Sequence, residues 1–359
     1  MKTPEILEHL RKRIVSGEFA PGSKLPKRPE LLAEYSVSVS AFQKCINQLI
    51  EWGFLESRGM KGICVTANPP HRSHFALVFP HRRFDGEFAG DALFHSIRLE
   101  LPEFLERHPG ISFEFYYTGG AENPDQSELE RLRNDASLGL LAGGIFFCFV
   151  PSRDFQASLG AFPCVVISRS PEDSFHHYPL ITFDTVELFR MSRETLLKLR
   201  CRRIAVLVHE MLSMERLTKI SEIASDGRAF TPPEWILGLF HETGRSVLKR
   251  NLIRLLFSAP PEKRPDSLIV LNENLLPFVC DALAELGLIP GEDVMIATHG
   301  NFPFEKMPQP KIEYFVFRAR DIMETCFEQL TRQNPGADRI LLEPHAFFNT
   351  SNKGKGSIG

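Results

Sequence analysis

"YSVSVSAFQKCINQLIEWGFLE", residues 35–56, decides how the N-terminal end of the chain is read. Phe42, Cys45, Ile46 and Leu49 fall at i, i+3, i+4 and i+7, one apolar face of a helix. Ser40-Ala41-Phe42-Gln43 fits a capping box, so the helix is expected to begin near Ser38 or Ser40, and Gly53 ends it. Alone, this is an amphipathic helix with one side for a core. Upstream, "PEILEHLRKRIVSGE" is a helix with Ile6, Leu7, Leu10 and Ile14 on one face, Pro4 in its first turn and Gly17 at its exit. "FAPGSKLP" is broken by proline and glycine, and "PELLAEYS" is a second, short helix. Downstream, "FLESRGMKGICVT" reads as strand, turn and strand, with Gly59 and Gly62 near the turn.

The chain has 359 residues, enough for two or three domains. Hydrophobic residues make up 43% and charged residues 24%, the balance of a globular protein with sizeable cores. A net charge of −3 excludes a polycation, yet the charge is uneven. Residues 1–68 hold ten Lys and Arg against seven Asp and Glu, and the remainder 32 against 38. A mildly basic end on an acidic body suits an anionic partner at that end only. The cysteines, Cys45, Cys64, Cys148, Cys164, Cys201, Cys280 and Cys326, are odd in number and scattered, with no C-x-x-C pair. Several lie in apolar runs such as "FFCFV" and "FPCVVI", so buried thiols are expected, not disulfides or a zinc site. "MKTPEILEHLRKR" carries charges where a signal peptide has its apolar core. No apolar run approaches the roughly 20 residues of a membrane span. The expectation is a cytoplasmic protein with no membrane partner.

Helix, short helix, turn, helix and a two-stranded wing over residues 1–66 is the order of a winged helix-turn-helix. Its mechanics suit double-stranded DNA: the third helix fits the major groove and the wing lies along the backbone or minor groove. The face opposite Phe42 and Ile46 presents Ser40, Gln43, Lys44 and Asn47. Gln pairs with adenine, Ser serves either role, and Lys reaches guanine or phosphate. Lys27 and Arg28, ahead of the second helix, are candidates for phosphates. Arg58 and Lys61 bracket the wing turn, where Gly62 permits close backbone approach.

"IVSGEFAPGSKLPKRPELLAEYSVSVSAFQKCINQLIEWGFLESRGMKGICVT" resembles the N-terminal module of the GntR family nearly end to end. The shared marks are Gly17, Pro21-Gly22, Leu25-Pro26, "ELLAEY", Val37-Ser38, Leu49, Gly53, Leu55 and Lys61-Gly62. The resemblance implies dimeric operator binding through the third helix, including Ser38 at its start, and through the wing. Two departures stand out. Lys27-Arg28-Pro29 follows Leu-Pro where the family has Ser-Glu-Arg, and Val39 stands where it has Arg.

"ANPPHRSH", residues 67–74, reads as a stiff linker. Beyond it, apolar runs ("FALVFP", "ISFEFYY", "GGIFFCFV", "PCVVISR", "LITFD", "RIAVLV", "SLIVLN", "DVMIAT", "IEYFVF", "RILLEP") alternate with helical segments. This is the pattern of a doubly wound parallel α/β sheet, with too many strands for one sheet, hence two lobes over residues 75–349. Residues 350–359 read as a disordered tail.

This body resembles the periplasmic-binding-protein-like sensor of the LacI family. The resemblance is carried by the opening "HFALVFP" with "FDGEFAGDALFHSI", by the segment from "PCVVISR" to "RIAVLV", and by "RPDSLIVLNENLLPFVCDALAELGLIPGEDVMIATHGN". It implies a cleft for a small effector, a sugar or sugar derivative, and homodimerisation through the lobes. Ligands of open α/β sheets sit beyond the carboxyl ends of the strands. The candidate contacts are therefore Phe84, Asp85, Phe88, Arg169, Asp184, Arg216, Glu273 and His299. Glu273 and Gly300 stand where the family carries Asp.

The expectation is a ligand-responsive transcriptional regulator, a repressor, in which a ligand closes the lobes and alters the half-site spacing of the dimer. Two alternatives stand beside it: a winged helix fused to a catalytic α/β domain, and a small-molecule-binding protein whose winged helix makes protein contacts. Catalytic signatures such as G-x-S-x-G, H-E-x-x-H, a Walker loop or G-x-G-x-x-G are not found, and His176-His177 is a lone loop pair. The expectation is therefore of no enzyme, cofactor or metal.

Overall fold

The computed structural model describes residues 2–80, 92–119, 124–147, 153–168, 178–209, 212–239, 246–305, 308–332, 336 and 338–347. Phe84, Asp85, Phe88, Cys148, Arg169, His176, His177 and the tail lie outside the described residues. The chain divides into two compact units, Met1–Arg83 with Leu105–Val166, and Phe84–Phe104 with Ile167–Gly359.

The first unit opens with α1 (Thr3–Val15), α2 (Arg28–Tyr35), α3 (Val39–Glu51), β1 (Leu55–Ser57) and β2 (Ile63–Val65). β1 and β2 pair antiparallel, with Leu55 opposite Val65, and form the wing. Ile6, Leu10 and Ile14 of α1, Leu31 and Tyr35 of α2, and Phe42, Cys45, Ile46 and Leu49 of α3 are all buried in one core. Each such side chain contributes about 1.5–3 kcal/mol on burial.

The start of α3 corrects the capping box. The cap is Ser38, in extended backbone, whose Oγ accepts the Ala41 N–H at 3.3 Å. Val39 is already helical, so Ser40 falls in the first turn, exposed, and Gln43 instead donates to Asn47 Oδ1 at 2.8 Å. At the other end Phe54 N–H donates to Leu49 O (2.9 Å) and Gly53 N–H to Ile50 O (3.0 Å), with Gly53 at φ 77°. This double-bonded exit needs a left-handed residue, which glycine supplies without steric cost.

Next come α4 (Pro70–Ser73), β3 (His74–Phe79), α5 (Ala92–Arg107), β4 (Ser112–Tyr117), α6 (Gln126–Ser137), β5 (Gly143–Phe147), α7 (Arg153–Leu159) and β6 (Cys164–Ile167). In the first unit the strand order is β6-β5-β3-β4. β3 is parallel to both β4 and β5 and buried along its length after His74. The same exit motif recurs after α6: Leu140 N–H donates to Asp135 O (2.9 Å) and Gly139 N–H to Ala136 O (3.0 Å), with Gly139 at φ 64°. It delivers Leu140 against the core of the winged module. A Cβ on Gly139 would stand 3.3 Å from Arg11 Nη1 and 3.3 Å from Val15 Cγ2. Arg11 itself is 6% exposed and held by Glu8. From α4, His71 stacks on Phe54 with ring centroids 5.9 Å apart.

The second unit continues with β7 (Leu180–Phe183), α8 (Thr185–Lys198), β8 (Ile204–His209), α9 (Met214–Ala224), β9 (Ile236–Leu239), α10 (Ser246–Phe257) and β10 (Ser267–Val270). It ends with α11 (Leu276–Glu285), β11 (Met295–Phe302), β12 (Ile312–Arg318), α12 (Ala319–Thr331), β13 (Arg339–Leu342) and β14 (His345–Phe347). A six-stranded sheet runs β14-β12-β11-β10-β8-β9, and β7 pairs in parallel with β13. All ladders in the six-stranded sheet are parallel except β12–β14. The central strands β8 and β10 are buried on both faces, which is why they read as unbroken apolar runs. α7, β9 and β14 were not anticipated. β9 is a half-buried "ILGL" with a glycine, and β14 is only three residues long, so neither has a periodic signature. Arg193, 1% exposed, fastens α8 to the turn after α9 through Asp226 (2.8 Å from Nη1). Arg228 bridges the same Asp226 to Glu194.

His71 gives the first unit an acid sensitivity. Burial, with the Arg72 and Arg11 charges, pushes its imidazole down to about 4 from an ordinary 6.5. The unfolded chain therefore binds a proton that the folded one refuses, and stability falls as pH drops from about 6.5 towards 4. Melting temperature followed over that window should fall further for the native chain than for His71→Phe, which keeps the stack but cannot titrate. Equal slopes would remove His71 from the account.

Candidate nucleic-acid interface and ligand cleft

On α3 the side buried in the module leaves Val39, Ser40, Lys44 and Asn47 exposed and Gln43 half-buried. Lys27 caps α2, and its neighbour Arg28 is the first residue of that helix, not ahead of it. Both are exposed at the end where helix dipoles favour an anion. Arg28 Nη2 donates to the Val39 carbonyl at 3.4 Å, tying the starts of α2 and α3 together. In the wing, Arg58 is paired with Glu56 at 2.6 Å, while Lys61 closes a short turn that leads to Gly62 at φ 88°. A Cβ on Gly62 would sit 3.0 Å from Lys24 Cε, so the glycine lets Lys24 lie against the wing.

The second unit contains a cleft of about 580 Å³, part of it open to solvent. It lies at the carboxyl ends of parallel strands, as the sheet geometry demands. Phe183 ends β7, His209 ends β8, Leu271 and Asn272 follow β10, His299 and Asn301 lie in β11, and Phe317 lies in β12. Leu93 of α5, Thr185 and Leu188 of α8, and Leu212 complete the lining. Phe183 and Phe317 meet at 4.8 Å between centroids, and His299 lies 5.5 Å from Phe317, forming one aromatic wall. The Glu273 N–H donates to His299 Nδ1 at 3.4 Å, which leaves the ring proton of a neutral imidazole on Nε2.

Asn272 is the notable polar group. It is 4% exposed, and its Oδ1 accepts the Asn274 N–H at 3.2 Å. Its amide nitrogen is buried without a hydrogen-bond partner. A buried donor left unmet costs about 1–3 kcal/mol.

Of the candidates named from sequence, His299 lies in this lining. Asp184 caps α8, accepting the Glu187 N–H at 2.9 Å. Arg216, 9% exposed, donates to Thr182 Oγ1 at 3.0 Å, and burial lowers its pKa against the pull of Asp184. Glu273 accepts from the Asn301 N–H at 3.2 Å and from the Asn301 amide, holding that lining residue in place. None of these three is in the described lining, although Asp184 and Glu273 directly neighbour residues that are. Sequence reading passed over His209 and Asn272 by looking one position or more past the strand. The first polar residue after each apolar run, His209 in "AVLVH" and Asn272 in "LIVLN", was the available signal.

Comparison with known proteins finds one family match and several fold neighbours. Residues 2–65 match the family described as bacterial regulatory proteins, gntR family. A LacI-family regulatory protein from Chloroflexus aggregans has 19% identity and a TM-score of 0.57, over 76% of this chain and 96% of that one. A LacI-family transcriptional regulator from Arthrobacter sp. FB24, in complex with lactose, has 15% identity and a TM-score of 0.59, over 77% and 98%. The transcriptional regulator CelR, in complex with cellobiose, has 16% identity and a TM-score of 0.57, over 96% and 98%. The chain thus carries a gntR-type winged helix-turn-helix at its N-terminus and an α/β body with the fold of LacI-family regulators. Among the described residues, no helix is long and apolar enough to cross a membrane.

The double role of position 184 can be separated. Asp184→Ala should lose the cap of α8 and lower stability by about 1 kcal/mol, whereas Asp184→Asn keeps the cap and most of the stability. Thermal or urea unfolding of the two variants reads the difference. Equal loss in both would make the carboxylate charge, not the cap, the important property.

Proposed function

We propose that the protein is a ligand-responsive, DNA-binding transcriptional regulator. Its gntR-type module reads operator half-sites, and the cleft of the second unit takes a neutral, hydroxyl-bearing effector, a sugar or sugar derivative. The single observation that carries the effector reading is the buried, unmet Asn272 amide in a cleft with an aromatic wall. The amide suits a hydroxyl or ring oxygen, and the wall suits the apolar face of a sugar ring. The complexes of fold neighbours with lactose and cellobiose support the same class. The body is read as a binding unit without a catalytic step, supported by the regulators that share its fold. The protein then acts in the cytoplasm, where its DNA is.

A homodimer completes the reading. Leu248 and Leu255 of α10 are 65% and 72% exposed, and with Leu252 between them they form a stripe at i, i+4 and i+7. Such a stripe is suited to a second copy. A Leu248→Asp/Leu255→Asp double variant should behave as a monomer by light scattering and bind DNA at least ten-fold more weakly. A variant that stays dimeric would place the dimer contact elsewhere.

A thermal-shift series with neutral mono- and disaccharides on the full chain tests the effector. A ligand at 100 times its Kd should add about 2.7 kcal/mol of stability. Asn272→Asp keeps the acceptor for Asn274 but puts an oxygen where the donor was, so it should bind the same sugar at least ten-fold more weakly. If no saccharide stabilises the protein at millimolar concentration, the sugar class is wrong.

A further inference from the structure

Among the described residues of the winged module, three large apolar side chains are exposed: Val15 (39%), Val39 (55%) and Met60, fully. Val15 borders Gly139, where an added Cβ would come within 3.3 Å of it. Val39 and Met60 have no such neighbour in view, and they occupy the two ends that a winged helix brings to DNA. Val39 is the first residue of α3, one helical turn from Gln43 on the presented side. Met60 is the middle residue of the wing turn Gly59–Lys61, between Gly59 at φ 57° and Gly62 at φ 88°. A β-branched residue exposed at a helix start gains nothing from the core and little from helix propensity.

Three of the polar groups nearby are already engaged. Ser38 Oγ caps α3, the Gln43 amide donates to Asn47, and Arg58 is held by Glu56. Glu51, bonded by Gln48 at the far end of the presented face, sets a carboxylate against phosphates there, so the N-terminal half of α3 is the half suited to enter a groove. Arg28 puts its charge beside the Val39 carbonyl. The major groove offers one apolar base-edge feature, the thymine methyl. In the minor groove, methionine is one of the side chains that wedge against or between base steps.

We propose that Val39 and Met60 are apolar DNA contacts: Val39 packs on a thymine methyl in the major groove, and Met60 enters the minor groove from the wing tip. The proposal rests on the DNA-binding reading and adds to it a preference for thymine beside the start of α3. Position 39 then selects by shape contact, where an arginine would select by hydrogen bonds to guanine.

The test uses the full chain and duplexes that it selects from a random-sequence pool. In the best duplex each thymine is replaced singly by uracil, which removes only the methyl group. At one thymine per half-site the change should weaken binding about four-fold, the effect of one buried carbon. Val39→Ser should bind thymine and uracil duplexes alike. Met60→Ser should weaken binding several-fold and reduce the bend seen by end-to-end fluorescence transfer. Both side chains are exposed, so unchanged melting temperatures are expected. Uracil duplexes bound as tightly as thymine ones, or the same methyl effect in Val39→Ser, overturns the assignment of Val39. Undiminished affinity and bend in Met60→Ser overturns that of Met60, and a changed oligomeric state instead would make these protein contacts. Failure to select any duplex overturns the DNA-binding reading and this proposal with it, a result distinct from normal binding with no methyl effect.

Discussion

The packing of Leu140 into the core of the winged module is the constraint on which the N-terminal half depends. A helix-turn-helix has a small core, and here it is closed by a residue from the α/β body. The placement follows from a helix exit: Gly139 takes a left-handed conformation, the two terminal carbonyl bonds form, and the next side chain is turned inward. Arg11, Val15 and His71 crowd that glycine, so the module is fitted to the body and not merely tethered to it. A reader held this way inherits its orientation from the unit it sits on.

Much of the fold is legible because the physics that selects each element is local. The three helices of the module announce themselves by apolar spacing, and the central strands by runs with no polar interruption. The start of α3 stays open in the sequence between Ser38 and Ser40 because the two serines compete for one cap. Only backbone geometry decides between them, and Val39 already lies in the helix. The segment of residues 67–74, read as a stiff connection, contains a one-turn helix whose Ser73 hydroxyl bonds back to Asn68 and Pro69 carbonyls. Two prolines mark a break in periodicity but do not say what packs on it.

The cleft was legible only in outline. The rule that ligands gather at strand ends points to the correct end of the sheet, yet it does not say which side of each strand faces in. A shift of one residue turns a side chain to the other face. Hence the sequence points to Glu273, while its neighbour Asn272 is the one in the described lining, and Asp184 and Arg216 serve a helix cap and a buried threonine. The aromatic wall of Phe183 and Phe317 comes from strands far apart in sequence, and nothing local links them.

Asn272 has a consequence for what the cleft refuses. A rigid pocket that already meets its own polar groups is indifferent to greasy molecules, and any hydrocarbon of the right size can settle in it. Here a hydrocarbon would leave the buried Asn272 N–H still without an acceptor. Discrimination against molecules lacking an oxygen at that point can therefore be far larger than the attraction of one hydrogen bond. A cleft built this way turns away apolar molecules by that penalty, and what it refuses is as much a product of the structure as what it accepts.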